Sequence, residues 1–268
     1  MNPLLIKVAH DTVNISKKRE YLNNSGQKQI FTTKYLPKTI SNQKDLTAIT
    51  VKNLELIPVP QTSVDPSKIN VLNEGTVEAI MRLSKTCQEE TIGILNFASA
   101  HSPGGGFLNG SVAQEECLCY CSELYTQQAN QEYYEINKIK NKFYTDTMIF
   151  SQTNFFKDAK YKFLDAPINV LVITCPAVNM RIAGNTKEAK DAMKNRMRKI
   201  LNAFAIAGVK NIVLGAYGCG VFKNDPVDIA TAWKDLLITE KYINFFETVS
   251  FSIIGNKNLE PFKKIINS

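Results

Sequence analysis

One stretch constrains the fold of this chain more than any other: residues 96–125, NFASAHSPGGGFLNGSVAQEECLCYCSELY. The apolar run Ile92-Gly93-Ile94-Leu95 comes just before it and reads as a buried strand. Pro103 follows, then three consecutive glycines, Gly104, Gly105 and Gly106. After seven more residues Gln114-Glu115-Glu116 opens an apolar helix. A strand that runs through a glycine loop into a helix is one way a backbone builds an anion site. Glycine has no Cβ, so amides approach a phosphate closely. A helix N-terminus adds free N–H groups and the positive end of its dipole. A glycine triplet alone is compatible with a plain turn, and Glu at a helix start with mere dipole complementation. Their joint occurrence after a buried strand is what points to a site. Spacing excludes two familiar phosphate loops: no Lys-Ser/Thr follows the glycines, and the run does not fit G-x-G-x-x-G.

A second glycine block lies further on, Gly215-Ala216-Tyr217-Gly218-Cys219-Gly220-Val221-Phe222, with Asn224-Asp225-Pro226 behind it. The pair of blocks, Pro-Gly-Gly-Gly with Gln-Glu-Glu and then this one, resembles the signature of microbial-type poly(ADP-ribose) glycohydrolases, a branch of the macrodomain superfamily. Weaker similarity starts at Val71-Leu72-Asn73-Glu74-Gly75-Thr76 and runs to the C-terminus, so the resemblance covers residues 70–268. It implies a macrodomain-like catalytic domain over 70–268 and an N-terminal extension, residues 1–69, packed on that core.

The resemblance also implies a chemistry. ADP-ribose would be the ligand and an ADP-ribosylated protein the partner, with no cofactor and no metal. Gly104, Gly105 and Gly106, following Pro103, would cradle one side of the diphosphate, and Gly218, Cys219, Gly220 and Val221 the other. Phe222 would wall the distal sugar. The reaction would be hydrolysis at the anomeric carbon of that ribose, through an oxocarbenium-like state that needs a proton donor and stabilisation of positive charge. By its match to the second Glu of the family motif, Glu116 is the general acid/base. Glu115 binds ribose hydroxyls and Gln114 orients the pair. Asn96 and Ser99 stand at the strand end beside the distal ribose. Related glycohydrolases often carry Asn where Ser99 stands, and Ser reaches less far. Ile254 is placed at the adenine or at a plain strand end.

Composition narrows the alternatives. Length of 268 residues with 44% hydrophobic and 21% charged residues is that of a globular domain with a substantial core. The longest apolar runs are too short to span a bilayer, and no secretory signal pattern opens the chain, so no membrane partner is expected. A net charge of +7 suits an anionic ligand. The basic residues are dispersed, as in Lys138, Lys140 and Lys142, Lys157, Lys160 and Lys162, or Lys194, Arg196, Arg198 and Lys199. Solvated faces explain them better than a nucleic-acid groove. Six cysteines do not form a disulfide scaffold at this length; they read as reduced thiols of a cytoplasmic protein. Cys117, Cys119 and Cys121 lie two apart on a helix, where only the outer two share a face, which disfavours a three-thiolate metal site.

Along the chain, residues 2–22 form an accessory helix ended by Asn23-Asn24-Ser25-Gly26, and residues 27–67, with Pro37, Pro58, Pro60 and Pro66, an irregular extension. Residues 70–72 are a possible strand. Residues 76–85 are an amphipathic helix with Val77, Ile80, Met81 and Ser84 inward. Residues 148–150 are a short strand, 168–174 a central one. Residues 186–207 form the longest helix, capped by Thr186 and closed by Gly208. Residues 210–214 are a strand, and Asp225-Pro226 starts the next helix. A last strand (248–254) and helix (259–266) close the chain. Strands alternating with helices, without tight hairpins, give an α/β three-layer sandwich with a mixed sheet. Both glycine loops follow strands, so both belong on the rim beyond the strand C-termini, where ligands bind such sheets.

Three other readings compete with a polymer-cleaving enzyme: a hydrolase of single ADP-ribose units on protein side chains such as arginine, a non-catalytic ADP-ribose reader, and a basic nucleic-acid-binding domain.

Overall fold

The structure, a computed structural model, describes residues 2–32, 34–41, 46–87, 91–139 and 141–268. Nine strands and nine helices follow in chain order among them: α1 (Pro3–Lys18), β1 (Glu20–Leu22), β2 (Lys28–Ile30), β3 (Ala48–Val51), β4 (Ile69–Leu72), α2 (Thr76–Thr86), β5 (Ile92–Phe97), α3 (Gln114–Cys121), α4 (Leu124–Gln128), α5 (Tyr133–Asn137), β6 (Met148–Lys157), β7 (Phe163–Cys175), α6 (Met180–Ala183), α7 (Lys187–Ile206), β8 (Asn211–Leu214), α8 (Pro226–Lys234), β9 (Thr248–Ser252) and α9 (Asn256–Ile266).

Seven strands make one mixed sheet in the order β3-β6-β7-β5-β8-β9-β4. The five strands from β7 to β4 are parallel, while β6 runs antiparallel to both its neighbours. Strand parity divides the core in two. On one face Ile92 and Ile94 of β5, Val170 and Val172 of β7 and Val213 of β8 pack with Leu5 and Ala9 of α1, Ile80 and Leu83 of α2 and Leu118 of α3. On the other face Leu95, Leu171, Ile173, Ile212, Leu214 and Phe251 pack with Met197, Leu201 and Phe204 of α7, Trp233 of α8 and Phe262 of α9. The result is the expected α/β/α sandwich. Gly93 is required by this packing: a Cβ there would lie 2.8 Å from the Phe204 ring and from Val209.

Several sequence readings hold in detail. Thr186 caps α7, accepting from the Ala189 N–H at 3.2 Å, and Gly208 follows it with a φ of +73°. Asp225 caps α8 with Pro226 at its first position. Others are corrected. α1 stops at Lys18, where Arg19 takes a left-handed conformation. Residues 23–26 instead turn the β1–β2 hairpin, with the Asn23 side chain accepting from Ser25 and Gln27 N–H. The stretch read as irregular contributes β3, which pairs with β6 at the sheet edge. The strand at 148–150 extends to Lys157 and forms a long antiparallel hairpin with β7, a second one beside the β1–β2 hairpin. On α2 Val77 and Ile80 are buried as expected, with Leu83 beside them, while Met81 and Ser84 are only partly covered. Nor are all the basic groups solvated. Arg196 is buried and donates to Asp146, Pro176 O and Phe143 O, and Lys157 is buried against the Thr12 hydroxyl. Lys140 lies outside the described residues. No described helix is long and apolar enough to cross a membrane.

Candidate active site

The rim expected from the parallel strands carries a cleft of about 710 Å³. Its wall is made by the segments that leave β4, β5, β7, β8 and β9 at their C-terminal ends, with Ala159 and Tyr161 of the β6–β7 turn. Gly105 and Gly220 both line it, as do Ser99, Gln114, Glu115, Glu116, Gly218, Val221, Phe222 and Ile254. Asn96, Pro103, Gly104, Gly106 and Cys219 are not part of its wall.

The first loop is tied down from every side. Gly104 and Gly105 turn with φ of +63° and +58°, conformations that suit glycine. Tyr120 donates its hydroxyl to Phe107 O and Ser111 O, and α1 packs close, with Asn2 O only 2.9 Å from where a Cβ on Gly110 would stand. Gln114 locks α3 to the end of β5. Its Oε1 accepts from Phe97 N–H at 2.9 Å, and its Nε2 donates to Leu95 O at 2.8 Å and to Thr76 Oγ1 at 3.2 Å. That amide has the partners of a missing sheet neighbour, which fixes the first turn of α3 against the strand.

Both carboxylates of that turn are buried. Glu115 accepts from the Ser99 N–H at 2.7 Å and from Asn96 Nδ2 at 3.2 Å. Burial pushes its pKa up to about 8, the neighbouring Glu116 charge adding to the rise, while the Ser99, Asn96 and Gly104 donors pull it back. Glu116 Oε1 accepts from Gly106 N–H at 2.8 Å; its second oxygen has no donor among the described residues.

These bonds revise what the first loop does. The Gly105 N–H donates to Ser102 O and the Gly106 N–H to Glu116. Both amides are taken by the protein's own acceptors. The Ser99 hydroxyl likewise accepts from the His101 and Ser102 N–H groups and closes the loop. Asn96 is wholly buried beneath Glu115 and meets the cleft only through it.

The second loop differs. Cys219 N–H is consumed by Ala216 O in the turn, but the Gly220, Val221 and Phe222 N–H groups have no acceptor among the described residues. Gly218, at φ +75°, must be glycine: a Cβ would lie 2.5 Å from Asn224 Nδ2 and 2.7 Å from Ala177 Cβ. Asn224 clamps the loop by donating to Val178 O and Gly218 O. Phe222 packs on Tyr144, ring centroids 6.0 Å apart, and Tyr144 on His101 of the first loop, 5.3 Å apart. Tyr144, held left-handed at φ +57°, is anchored by Arg196 on the preceding carbonyl.

Sequence reasoning missed Phe97, Thr76 and Tyr144. Phe97 lines the cleft and leans on Tyr217; strand parity relative to Asn96 was the available signal. Nothing local marks Tyr144. Ile254 lies exposed on the rim after β9 ends.

The sequence profile of the microbial-type PARG catalytic domain matches residues 9–158. The chain belongs to the microbial-type PARG family. Solved PARG structures share its fold. Poly(ADP-ribose) glycohydrolase from Thermomonospora curvata bound to the inhibitor ADP-HPD is 27% identical, with a TM-score of 0.83 over 98% of this chain and 99% of that one. The same enzyme from Deinococcus radiodurans in complex with ADP-ribose is 35% identical, with a TM-score of 0.68 over 74% of this chain and 83% of that one. No curated protein sequence matches. The profile spans the first glycine loop and both carboxylates of the PARG motif, and it begins within α1.

Proposed function

We propose that this chain is a hydrolase of the glycosidic bond at the distal ribose of ADP-ribose, releasing ADP-ribose from modified proteins, with the polymer's ribose–ribose linkage as its substrate. One observation carries the reading. A pair of buried carboxylates and a loop of open amides share one cleft in a PARG fold, whose Deinococcus member is solved with ADP-ribose.

In this reading the Gly220, Val221 and Phe222 amides bind the diphosphate, and Phe222 walls the distal ribose. Glu116 is the acid/base: one oxygen is fixed by Gly106 and the other is left to protonate the departing oxygen and then to activate water. Glu115 holds the ribose hydroxyls and, in its ionised form, counters positive charge as the anomeric carbon flattens. Gln114 keeps the two in register. The described part of the N-terminal 69 residues serves as a brace: α1 buttresses the first loop and β3 closes the sheet edge.

The test is incubation with poly(ADP-ribosyl)ated protein and with peptides carrying single ADP-ribose units, beside a Glu116→Gln variant. Polymer loss that leaves a protein-linked unit, absent in the variant, supports the reading. Release from modified arginine would replace it with the mono-ADP-ribosyl hydrolase. Tight binding without product would leave a reader.

A further inference from the structure

Behind Glu115 lies an unusual amount of buried polarity. Asn96, Gln128 and Thr174 are fully buried and Tyr134 is 4% exposed. They come from four elements, β5, α4, β7 and α5, and are linked in a row. Asn96 Nδ2 donates to Glu115 Oε1 and to Thr174 Oγ1, each at 3.2 Å. Gln128 Nε2 donates to the same hydroxyl at 2.7 Å, and the Tyr134 hydroxyl donates to Gln128 Oε1 at 3.3 Å. Asn96 and Thr174 are direct cross-strand partners of β5 and β7, so the sheet register itself sets their spacing. Aliphatic side chains would fill such a junction without the cost of desolvating four polar groups.

We propose that this array is a positioning device for the reaction: Asn96, Thr174, Gln128 and Tyr134 hold Glu115 in one rotamer and hold it in either of its two charge states. The inference rests on the hydrolase reading above. Asn96 Oδ1 is buried and without a partner, which makes the second state available. With Glu115 ionised, the Asn96 amide donates to it. With Glu115 protonated, half a turn of that amide brings Oδ1 to the same place. There it accepts from the carboxylic acid and from the Thr174 hydroxyl, and Gln128 continues to donate to Thr174. The only bond that changes is the Glu115 O–H, whose proton is exchanged with water from the cleft; within the array only donor and acceptor roles exchange. A site that must bind a neutral sugar and then face a cationic one has use for a carboxyl group whose cage tolerates both forms. The titratable groups facing Glu115 are Glu116 and Cys119 on its own helix and Tyr133 and Tyr134 on α5.

The experiment is Thr174→Val in the full chain, which keeps a β-branched residue in β7 and removes only the hydroxyl. The ionisation of Glu115 is followed by carboxyl carbon NMR, and kcat and KM are measured across pH. The midpoint of Glu115 should rise by about one pH unit, because the Asn96 amide that donates to the ionised form loses the hydroxyl that holds it in place. In parallel kcat should fall about tenfold while KM changes by less than about twofold. Thr174→Ser should restore both. If Thr174→Val does not fold, Tyr134→Phe removes one hydroxyl from the far end and should shift Glu115 in the same direction by less. A folded variant of either kind whose Glu115 titration superimposes on the wild type overturns the proposal. The NMR titration needs no turnover, so an inactive wild-type protein would sink the hydrolase reading while leaving the array's effect on Glu115 measurable.

Discussion

The two glycine loops look interchangeable as sequence and are opposites as structure. In the first, the amides are spent inside the protein: Gly105 on Ser102 O, Gly106 on Glu116. In the second, three consecutive amides from Gly220 to Phe222 have no acceptor among the described residues. The first therefore seats the protein's own carboxylate, and the second keeps the amides that the proposed reading gives to the diphosphate. Glycine serves different ends in each. At Gly105 a Cβ would stand 2.4 Å from Glu116 Oε1, whereas at Gly220 it would meet nothing within 4 Å. One absent side chain makes room for the protein's own carboxylate, the other leaves open space at the cleft.

The sharpest way to break this division is at the carboxylate the socket holds. Glu116→Gln should lower kcat by about three orders of magnitude, within the span of a lost general acid/base. Its thermal midpoint should stay near the wild type, since the amide oxygen still accepts from Gly106. Turnover by the variant within tenfold of wild type would remove Glu116 from the chemistry. The next largest effect belongs to Gly105→Ala. Alanine at φ +58° is strained and its methyl displaces Glu116. Activity should fall about a hundredfold, with a loss of roughly 1–2 kcal/mol in chemical denaturation. Full activity in this variant would show that the carboxylate does not need its seat on Gly106.

Glu115 gives a gentler probe of the same socket. Its pKa stands at about 8 in the folded protein against 4.5 for a free side chain. The fold thus favours its neutral form. That contribution to stability is complete below about pH 4.5, declines as pH rises, and is gone above about pH 8. Glu115→Gln keeps a neutral group of the same shape. Its thermal midpoint relative to wild type should therefore climb by a few degrees between about pH 5 and pH 9. Parallel curves for the two proteins would mean that Glu115 is already ionised in the fold.

The strand, loop and helix around residues 92–121 were legible because each signal was local: an apolar run, glycines, a polar opening to an apolar stripe. So was the second loop, with Pro226 and Asp225 marking the helix behind it. The β6–β7 hairpin was not. Residues 151–154 read Ser-Gln-Thr-Asn, which no hydrophobic pattern assigns to a buried strand. They are buried because α4 and its flank satisfy them: Gln127 bonds Gln152 O and Thr153, and Glu123 accepts from both nitrogens of Asn154. Those partners are 25 or more residues away in sequence. The fate of the first loop's amides was hidden for the same reason. Glycine spacing shows that a backbone can approach an anion closely. It does not show that the anion is a glutamate ten residues further along the same chain.

The smallest expected change is the most discriminating one. Gly220→Ala adds a methyl group to open space, and Gly220 has no positive φ to strain. Stability should stay within about 0.5 kcal/mol of wild type. If the second loop receives a diphosphate, its amides must come within hydrogen-bonding distance of phosphate oxygens, and the new methyl stands on that approach. Affinity for ADP-ribose, measured by calorimetry, should then drop while affinity for ribose 5-phosphate, which lacks the diphosphate, changes less. Unchanged ADP-ribose binding would place the diphosphate away from Gly220 and return the phosphate role to the first loop. Gly105 and Gly106 would then have to release Ser102 and Glu116 when ligand enters, and the carboxylate socket would exist only in the empty enzyme.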